Sequence, residues 1–250
     1  MKNIKGQFIS KTDIGLVRMI NEDRAISLVN SCGDVLLCVC DGLGGHHKGD
    51  YASELAVKML AESFRDKNKY YTGIDVRFWI YHMLNKINRV INNEAAHNEK
   101  YADMGTTIVL ALLHGNKIYI AYAGDSRAYG FEKHQFSCLT TDQTYVNYLY
   151  ETGQIKQEEM STSKERHKLI NALGTYPSVS YSLVIKKNTF NSILLCSDGL
   201  YNNATDGDIK SAVISNERIE QKIDTLIGIA KSNGGSDNIA ISYWERNFND

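Results

Sequence analysis

The chain has 250 residues, of which 43% are hydrophobic and 23% are charged, a composition typical of globular proteins that argues against intrinsic disorder. Its 19 glycines and single proline argue against collagen-like or low-complexity structure and against flexible linkers. The formal net charge of −1 argues against broad electrostatic binding to nucleic acid or to an anionic membrane surface.

In chain order, hydrophobic periodicity predicts a strand block, two long helices, a second strand block and a mixed C-terminal part. Strands are predicted at residues 6–11, 25–29, 35–40, 106–113, 118–123, 126–131, 135–139, 180–187, 193–196 and 238–244, and helices at 51–65, 76–97, 206–215 and 218–232. Residues 114–117 predict a hairpin turn. Segment 141–175 is polar and weakly periodic, which predicts short helices and loops laid over the body.

The order of these elements indicates the fold class. Hairpin-paired strands alternate with pairs of helices and lack the strict strand–helix–strand repeat of a parallel sheet. The sequence therefore predicts an α+β fold with two antiparallel sheets packed face to face and helices on both outer faces. Because no segment resembles a linker, residues 1–250 are predicted to form one domain.

The cysteines and the absence of long apolar runs indicate the compartment. No apolar run approaches the roughly 20 residues that span a bilayer, and no apolar signal core follows the basic N-terminus. Cys38, Cys40 and Cys196 lie in apolar runs, where cysteine behaves as a small buried hydrophobe. A nucleophilic cysteine is the weaker alternative, because no phosphate-binding loop follows one. We therefore expect a cytoplasmic protein that binds neither membranes nor nucleic acid.

Acidic residues lie where buried strands end or begin. Asp41, Asp125 and Asp198 come just after apolar runs, and Asp237 comes just before the last strand. Each taken alone is explained as a turn residue, because Asp-Gly is a common turn dipeptide. Together they can converge on one edge of an antiparallel sandwich. Clustered carboxylates repel one another unless a cation neutralises them, and hard oxygen ligands favour Mg²⁺ or Mn²⁺.

A second charged segment precedes these strands. Arg18 lies four and five positions before Glu22 and Asp23. Alone this is an ordinary charged loop, but beside a metal site Asp23 becomes a further ligand and Arg18 a planar fork suited to phosphate. His46 and His47 are interpreted as a solvated loop, because no further histidine stands at zinc-ligand spacing.

Seven short motifs in this order resemble those of the protein phosphatase 2C family, the metal-dependent serine/threonine phosphatases. The motifs are Arg18-x-x-Asn21-Glu22-Asp23, Asp41-Gly42-x-Gly44-Gly45, Gly105-Thr106-Thr107, Gly124-Asp125-Ser126-Arg127, Leu139-Thr140-x-Asp142, Ser197-Asp198-Gly199-Leu200 and Gly235-x-Asp237-Asn238. The resemblance spans about residues 12–244. The compact length and the Gly44-Gly45-His46 sequence are similar to the bacterial branch.

This resemblance implies a four-layer αββα sandwich with two Mn²⁺ or Mg²⁺ ions in a cleft at one end. Asp41 is expected to bridge both ions, and the Gly42 carbonyl to bind one of them. Asp198 and Asp237 are expected to bind the other ion. Asp23 is expected to act nearby, directly or through metal-bound water. Segment 141–175 corresponds to a variable flap beside the active site.

Three further roles follow from the same resemblance. Glu22 is expected to act beside Asp23, Asp125 to share a weaker third ion with Asp198, and Arg18 to hold the substrate phosphate. A metal-bridged hydroxide is expected to attack phosphorus in line, without a phosphoenzyme. The implied partners are phosphorylated proteins and a bacterial-type Ser/Thr kinase that the enzyme opposes, and the enzyme is expected to be a monomer.

The chain departs from the family pattern at three positions. Leu43 stands where animal members carry the histidine proposed as general acid, so a metal-bound water is the expected acid. Gln143 follows Asp142 where bacterial relatives often have histidine, and Asn171 stands where they often have a basic residue. Two alternatives to a general phosphatase are a binding module that has lost catalysis and a phosphatase restricted to an anti-sigma-factor antagonist.

Overall fold

The computed structural model describes residues 4–44, 48–67, 70, 72–133, 135–160 and 162–247. Gly45, His46 and His47 therefore lie outside the described residues, and so do the solvated-loop interpretation of the two histidines and part of the branch motif.

The strands form two antiparallel sheets. The bounds are β1 Gln7–Asp13, β2 Asp23–Val29, β3 Val35–Leu43, β4 Gly105–Thr106, β5 Ile108–His114, β6 Lys117–Ala123, β7 Arg127–Glu132, β8 Gln135–Cys138, β9 Ser182–Lys187, β10 Ser192–Cys196 and β11 Ile239–Glu245. One sheet has the order β1-β11-β10-β7-β8, and the other has the order β2-β3-β5-β6-β9, with β4 paired to β3. The predicted hairpin turn is confirmed, since β5 and β6 pair from Ile108–Ala123 to His114–Lys117.

Helices cover the outer faces of both sheets. Their bounds are α1 Lys48–Asp66, α2 Gly73–His97, α3 Tyr145–Glu151, α4 Gln157–Met160, α5 Asp198–Tyr201, α6 Asp206–Ile214 and α7 Ile219–Ser232. Capping boxes fix two of the starts: Thr72 and Asp75 begin α2, and Thr205 and Asp208 begin α6. In the described parts of the chain, no helix is both long and apolar enough to cross a membrane.

Strand β3 shows why the molecule has four layers. Leu36, Cys38 and Cys40 point into the core that the second sheet forms with α1 and α2. Leu37 and Val39 alternate with them and pack in the core between the two sheets. A third core lies under α5, α6 and α7. The alternation of side chains along a strand thus buries both faces of β3, and the predicted αββα sandwich is confirmed.

Three local predictions differ from the structure. The strand predicted to end at Cys40 continues through Asp41 to Leu43, because β2 pairs with it at Asp41 and β4 pairs with it at Gly42. The strand predicted at 106–113 is divided at Thr107 into β4 and β5. Asp198 opens the short helix α5 instead of lying in a simple turn. The first two differences arise from pairing between segments distant in sequence.

Candidate active site

The acidic residues meet in one cavity of about 540 Å³ at an end of the sandwich. Its lining includes Arg18, Glu22, Asp41, Gly42, Leu43, Asp125, His167, Leu169, Asp198, Asn202, Asp237 and Asn238. Seven of the eight predicted site residues therefore reach this cavity. The eighth, Asp23, is 2% exposed and lies directly opposite Asp41 in the β2–β3 register. The strand-end argument thus places these residues together correctly, although Asp41 lies inside its strand.

Burial and mutual repulsion make the carboxylates of this cluster hard to ionise. Burial first, and then the charges of Asp198 and Asp237, outweigh a hydrogen bond from Ser197 and raise the pKa of Asp23 to about 8. Burial, and then the neighbouring Asp23 and Asp198, hold the pKa of Asp41 well above its usual range. The protein by itself therefore favours protonated carboxyl groups here.

The same two causes act on the outer carboxylates. Burial, with the charges of Asp198 and Asp142 next, raises the pKa of Asp125 to about 7. Burial, and then the charge of Asp237, raises the pKa of Asp198 to about 6. Burial also raises the pKa of Glu22. Such a cluster stores electrostatic repulsion that divalent cations can relieve.

Two buried carboxylate oxygens point to the same conclusion. Glu22 Oε1 and Asp23 Oδ2 have no hydrogen-bond partner among the residues that the structure describes. A buried polar atom without a partner is costly, so a cation or its coordinated water is the natural complement. Across the described residues, no three acidic, histidine or cysteine side chains form a closed ligand set by themselves. The carboxylate oxygens at this site are the kind of ligand that hard cations such as Mg²⁺ and Mn²⁺ prefer.

Arg18 is the positive group at the rim of the cavity. Its Nη2 donates to Asp237 Oδ2 at 2.8 Å, and its side chain is half exposed. Burial alone would lower the pKa of Arg18, but the hydrogen bond and charge of Asp237 outweigh it and raise the pKa. Arg18 thus presents a fixed planar charge to an anion entering the cavity.

Thr106 and Thr107, at and just after β4, hold the backbone of Asp41 through hydrogen bonds. Asp41 N donates to Thr107 Oγ1 at 3.0 Å, and the Asp41 carbonyl accepts from Thr106 Oγ1 and from Thr107 N at 2.9 and 2.8 Å. Thr107 Oγ1 also lies 2.8 Å from Ser126 Oγ, next to Asp125. Sequence reasoning gave these threonines no role. Their signal was present in the Gly105-Thr106-Thr107 motif, but the partner could not be read from it.

Asn238 holds the loop of residues 14–22, which carries Arg18, in the same way. Its Oδ1 accepts from Glu22 N at 2.8 Å, while its Nδ2 donates to the carbonyls of Ile14 and Ile20 at 2.9 and 3.0 Å. One buried amide side chain thereby fixes both ends of the loop that carries Arg18. The sequence showed Asn238 only as the neighbour of Asp237.

Glycine is required where two backbones meet at the site. A Cβ on Gly42 would collide with the Gly49 carbonyl at the start of α1 and lie 2.7 Å from the Glu22 carbonyl. A Cβ on Gly199 would collide with the Asn238 carbonyl. These contacts explain why glycine follows Asp41 and Asp198: the backbone must approach closely for the carboxylates to converge.

The side of the cavity formed by segment 141–175 is lined by a histidine and a leucine instead of carboxylates. His167 and Leu169 line it there, and Leu43 lines the facing rim. An apolar Leu43 offers no proton, so the general acid is not supplied from that position. Arg127 is held by Asp142 through two hydrogen bonds of 2.9 and 2.7 Å and lies 3.6 Å above the ring of Tyr201. These groups form the wall behind Asp125, whose carbonyl accepts from Tyr201 Oη at 3.1 Å.

Comparison with known proteins agrees with this geometry. The sequence model of the family described as protein phosphatase 2C matches residues 17–240. The chain is 33% identical over 239 residues to the serine/threonine phosphatase stp of Listeria monocytogenes serovar 1/2a, covering 95% of both chains.

Solved structures show the same similarity. The serine/threonine phosphatase Stp1 from Staphylococcus aureus superposes with a TM-score of 0.91 at 33% identity, over 99% of this chain and 98% of that one. The catalytic domain of the serine/threonine protein phosphatase PstP, in complex with two manganese ions, gives a TM-score of 0.82 at 28% identity, over 96% of this chain and 97% of that one.

Proposed function

The chain belongs to the bacterial branch of the protein phosphatase 2C family and is a metal-dependent protein serine/threonine phosphatase, and from this premise we propose how its own residues carry out the reaction. The observation that carries the proposal is the cavity in which Asp41, Asp125, Asp198 and Asp237 meet beside Arg18. Carboxylates bind the cations, and a guanidinium binds the phosphate.

Asp41, the Gly42 carbonyl, Asp198 and Asp237 would hold two Mn²⁺ or Mg²⁺ ions. Asp23 and Glu22 lie beside them, and their unpartnered oxygens support contact with a cation or with its water. Asp125 would share a weaker third ion with Asp198. When bound, divalent cations lower the pKa of coordinated water towards neutrality, supply the nucleophile and neutralise charge on the phosphoryl group. The manganese in the PstP neighbour supports this choice of metals.

Arg18 would orient the phosphate for attack by hydroxide in line with the serine or threonine oxygen. Asp237 already fixes the guanidinium, which leaves further N–H donors free to bind phosphate oxygens. A mechanism without a cysteinyl phosphoenzyme is supported by the positions of the thiols, since Cys38, Cys40 and Cys196 are fully buried and neither Cys32 nor Cys138 is among the described residues that line the cavity. Positioning and charge stabilisation then provide most of the rate enhancement.

We propose phosphorylated proteins as substrates and a bacterial-type Ser/Thr kinase as the opposing enzyme. The cysteines are odd in number, five, and include no Cys-x-x-Cys pair, which suits the reducing cytoplasm, where we place the reaction. Because one chain carries every residue to which a role in the reaction is assigned, the monomer is proposed as the active unit. Residues 1–250 would act as one catalytic domain in which 141–175 is the flap subdomain.

The test is hydrolysis of a phosphothreonine peptide by chelator-treated protein, with and without added Mn²⁺ or Mg²⁺. We expect turnover only with the cation. Asp41→Asn and Asp237→Asn are each expected to lose at least about a hundredfold in kcat/KM, because a charged ligand is replaced by a neutral amide.

Asp206→Asn is the matched control, since Asp206 is an exposed carboxylate in the first turn of α6. It should retain the activity of the parent protein. Turnover that survives exhaustive chelation, or equal losses in all three variants, would disprove the assignment of the metal ligands.

A further inference from the structure

Gln143 stands at the start of the flap and joins three parts of the molecule. Its Oε1 accepts from Gly124 N at 3.0 Å and from Asn171 Nδ2 at 2.7 Å. Its Nε2 donates to Ser182 Oγ of β9 at 3.1 Å. Both lone pairs of the amide oxygen are therefore occupied by protein donors, one from the β6–β7 turn and one from the end of the flap.

Asn171 completes the contact from the other end. It is 9% exposed, and its Nδ2 also donates to the Ser180 carbonyl, so both of its N–H bonds are used. Main-chain bonds run beside the two side chains: Gln143 N donates to the Gly124 carbonyl, and Ile170 N donates to the Gln143 carbonyl, each at 3.0 Å. The two amides close the base of the segment 144–170.

The closed base is tied to the turn that carries Asp125. Gly124 adopts a φ of 111° and packs against Thr107, so the turn has little room to shift. Gln143 bonds both the N–H and the carbonyl of Gly124, one residue before Asp125. The flap in turn places His167 and Leu169 on the wall of the cavity. One contact therefore sets the flap and the Asp125 turn together.

We propose that Gln143 and Asn171 are a positioning pair, which locks the base of the flap to the Gly124–Asp125 turn and so fixes the wall of the catalytic cavity. The proposal deepens the proposed function, because it assigns the residues that position the flap of that same site. Neither residue contacts the reacting atoms.

The two residues are also the flap positions at which the sequence departs from the family pattern, and the structure shows them in contact. A neutral imidazole has a single acceptor nitrogen, so histidine at 143 could not accept from both Gly124 and Asn171. A basic residue at 171 would place a buried charge against the amide of Gln143. The two side chains therefore share one contact, and we expect replacing both to cost less than the sum of the two single replacements, because either single replacement already breaks that contact.

The first test needs no activity and uses the metal-free protein. Gln143→Met keeps the length of the side chain and removes its hydrogen bonds. We expect the Gly124 amide to exchange with deuterium about tenfold faster, and trypsin to cleave the flap after Lys164 or Lys168 faster by a similar factor. Gln154→Met is the control, because Gln154 is exposed within the flap and the described contact of its side chain is to Thr152, remote from the base of the flap. It should leave both rates unchanged.

The second test measures kcat and KM with saturating Mn²⁺. For Gln143→Met we expect kcat to fall about fivefold with both a small aryl phosphate and a phosphothreonine peptide, and KM to rise for the peptide alone. A purely structural role would lower the folded fraction and leave kcat per folded molecule unchanged.

Asn171→Ala removes the Gln143–Asn171 hydrogen bond and keeps the Gln143–Gly124 hydrogen bond. It also tests the proposal if Gln143→Met does not fold. It leaves the Gly124–Gln143 bond in place, so Gly124 exchange should stay near the parent rate while tryptic cleavage of the flap accelerates. The proposal is overturned if Gln143→Met has the same Gly124 exchange rate and kcat as Gln154→Met. It is also overturned if trypsin cleaves Asn171→Ala no faster than Gln154→Met. Failure of metal-dependent turnover in the parent protein would instead refute the proposed function.

Discussion

Arg18 illustrates how one residue depends on its neighbours for its chemistry. It lies in a loop whose two ends are held by Asn238, and its guanidinium is oriented by Asp237. A guanidinium group that is already oriented loses little rotamer freedom when it binds an oxyanion. The side chain therefore contributes both charge and geometry to phosphate binding.

We predict that Arg18→Lys lowers kcat/KM for a small aryl phosphate by about 10- to 100-fold, because the ammonium keeps the charge and loses the bidentate contact. Most of the change should appear in KM if Arg18 binds the phosphate before reaction. Steady-state kinetics at saturating Mn²⁺ provides the measurement. Arg89→Lys on the exposed face of α2 is the control and should behave as the parent. Equal kinetics for the two variants would contradict the role of Arg18.

At the scale of single residues, the sequence predicted the acidic residues of the site but did not predict the residues that hold them in place. Asp41, Asp125, Asp198 and Asp237 could be predicted to meet, because strand ends of antiparallel sheets share an edge. The hydrogen bonds between Thr107 and Asp41 join residues 66 positions apart, and no local sequence pattern indicates such a pairing.

Strand β3 and helix α1 show what the site requires of whole elements. The strand runs on through Asp41 because β2 and β4 pair with it on either side. Helix α1 begins against it, with the Gly49 carbonyl packed on Gly42. Periodicity located both elements, but the boundary of β3 depends on tertiary partners and was predicted three residues short.

Gly42→Ala is predicted to destabilise the fold by about 1–3 kcal/mol, because the added methyl group must push α1 away from β3. Urea unfolding in the presence of chelator measures the change in the free energy of unfolding. Gly228→Ala in α7 is the matched control: nothing lies within 4 Å of the added Cβ, so it should stabilise by about 0.5–1 kcal/mol. Gly42→Ala with unchanged stability would show that the backbone contact is not tight.

At the scale of the whole molecule, the site exists only when both sheets have assembled. Asp23 and Asp41 come from β2 and β3 of one sheet, whereas Asp198 and Asp237 flank β10 and β11 of the other. Packing of the sheets therefore drives like charges together, and hydrophobic burial in the three cores has to offset that repulsion. This opposition connects the stability of the fold to pH and to metal.

The metal-free protein is accordingly predicted to lose stability as pH rises. In the folded chain the pKa values of Asp198, Asp125 and Asp23 are about 6, 7 and 8, against about 3.9 in an unfolded chain. The folded state thus holds protons that the unfolded state releases, so these groups stabilise the fold most below about pH 4, and that stabilisation is lost as pH rises to about 8. Mn²⁺ binds the deprotonated carboxylates, so its stabilising effect should grow over the same interval.

Thermal unfolding between pH 5.5 and 8.5, with chelator or with Mn²⁺, distinguishes the two effects. The Tm of the chelated protein should fall with pH, and the difference between the two Tm curves should widen. Asp23→Asn removes the carboxyl group whose pKa, about 8, is the highest of these three and should flatten the fall in Tm, whereas Asp206→Asn on exposed α6 should not change it. A chelated protein whose Tm rises across this interval would contradict the account, because it would mean that the buried carboxylates are ionised in the folded state without a metal.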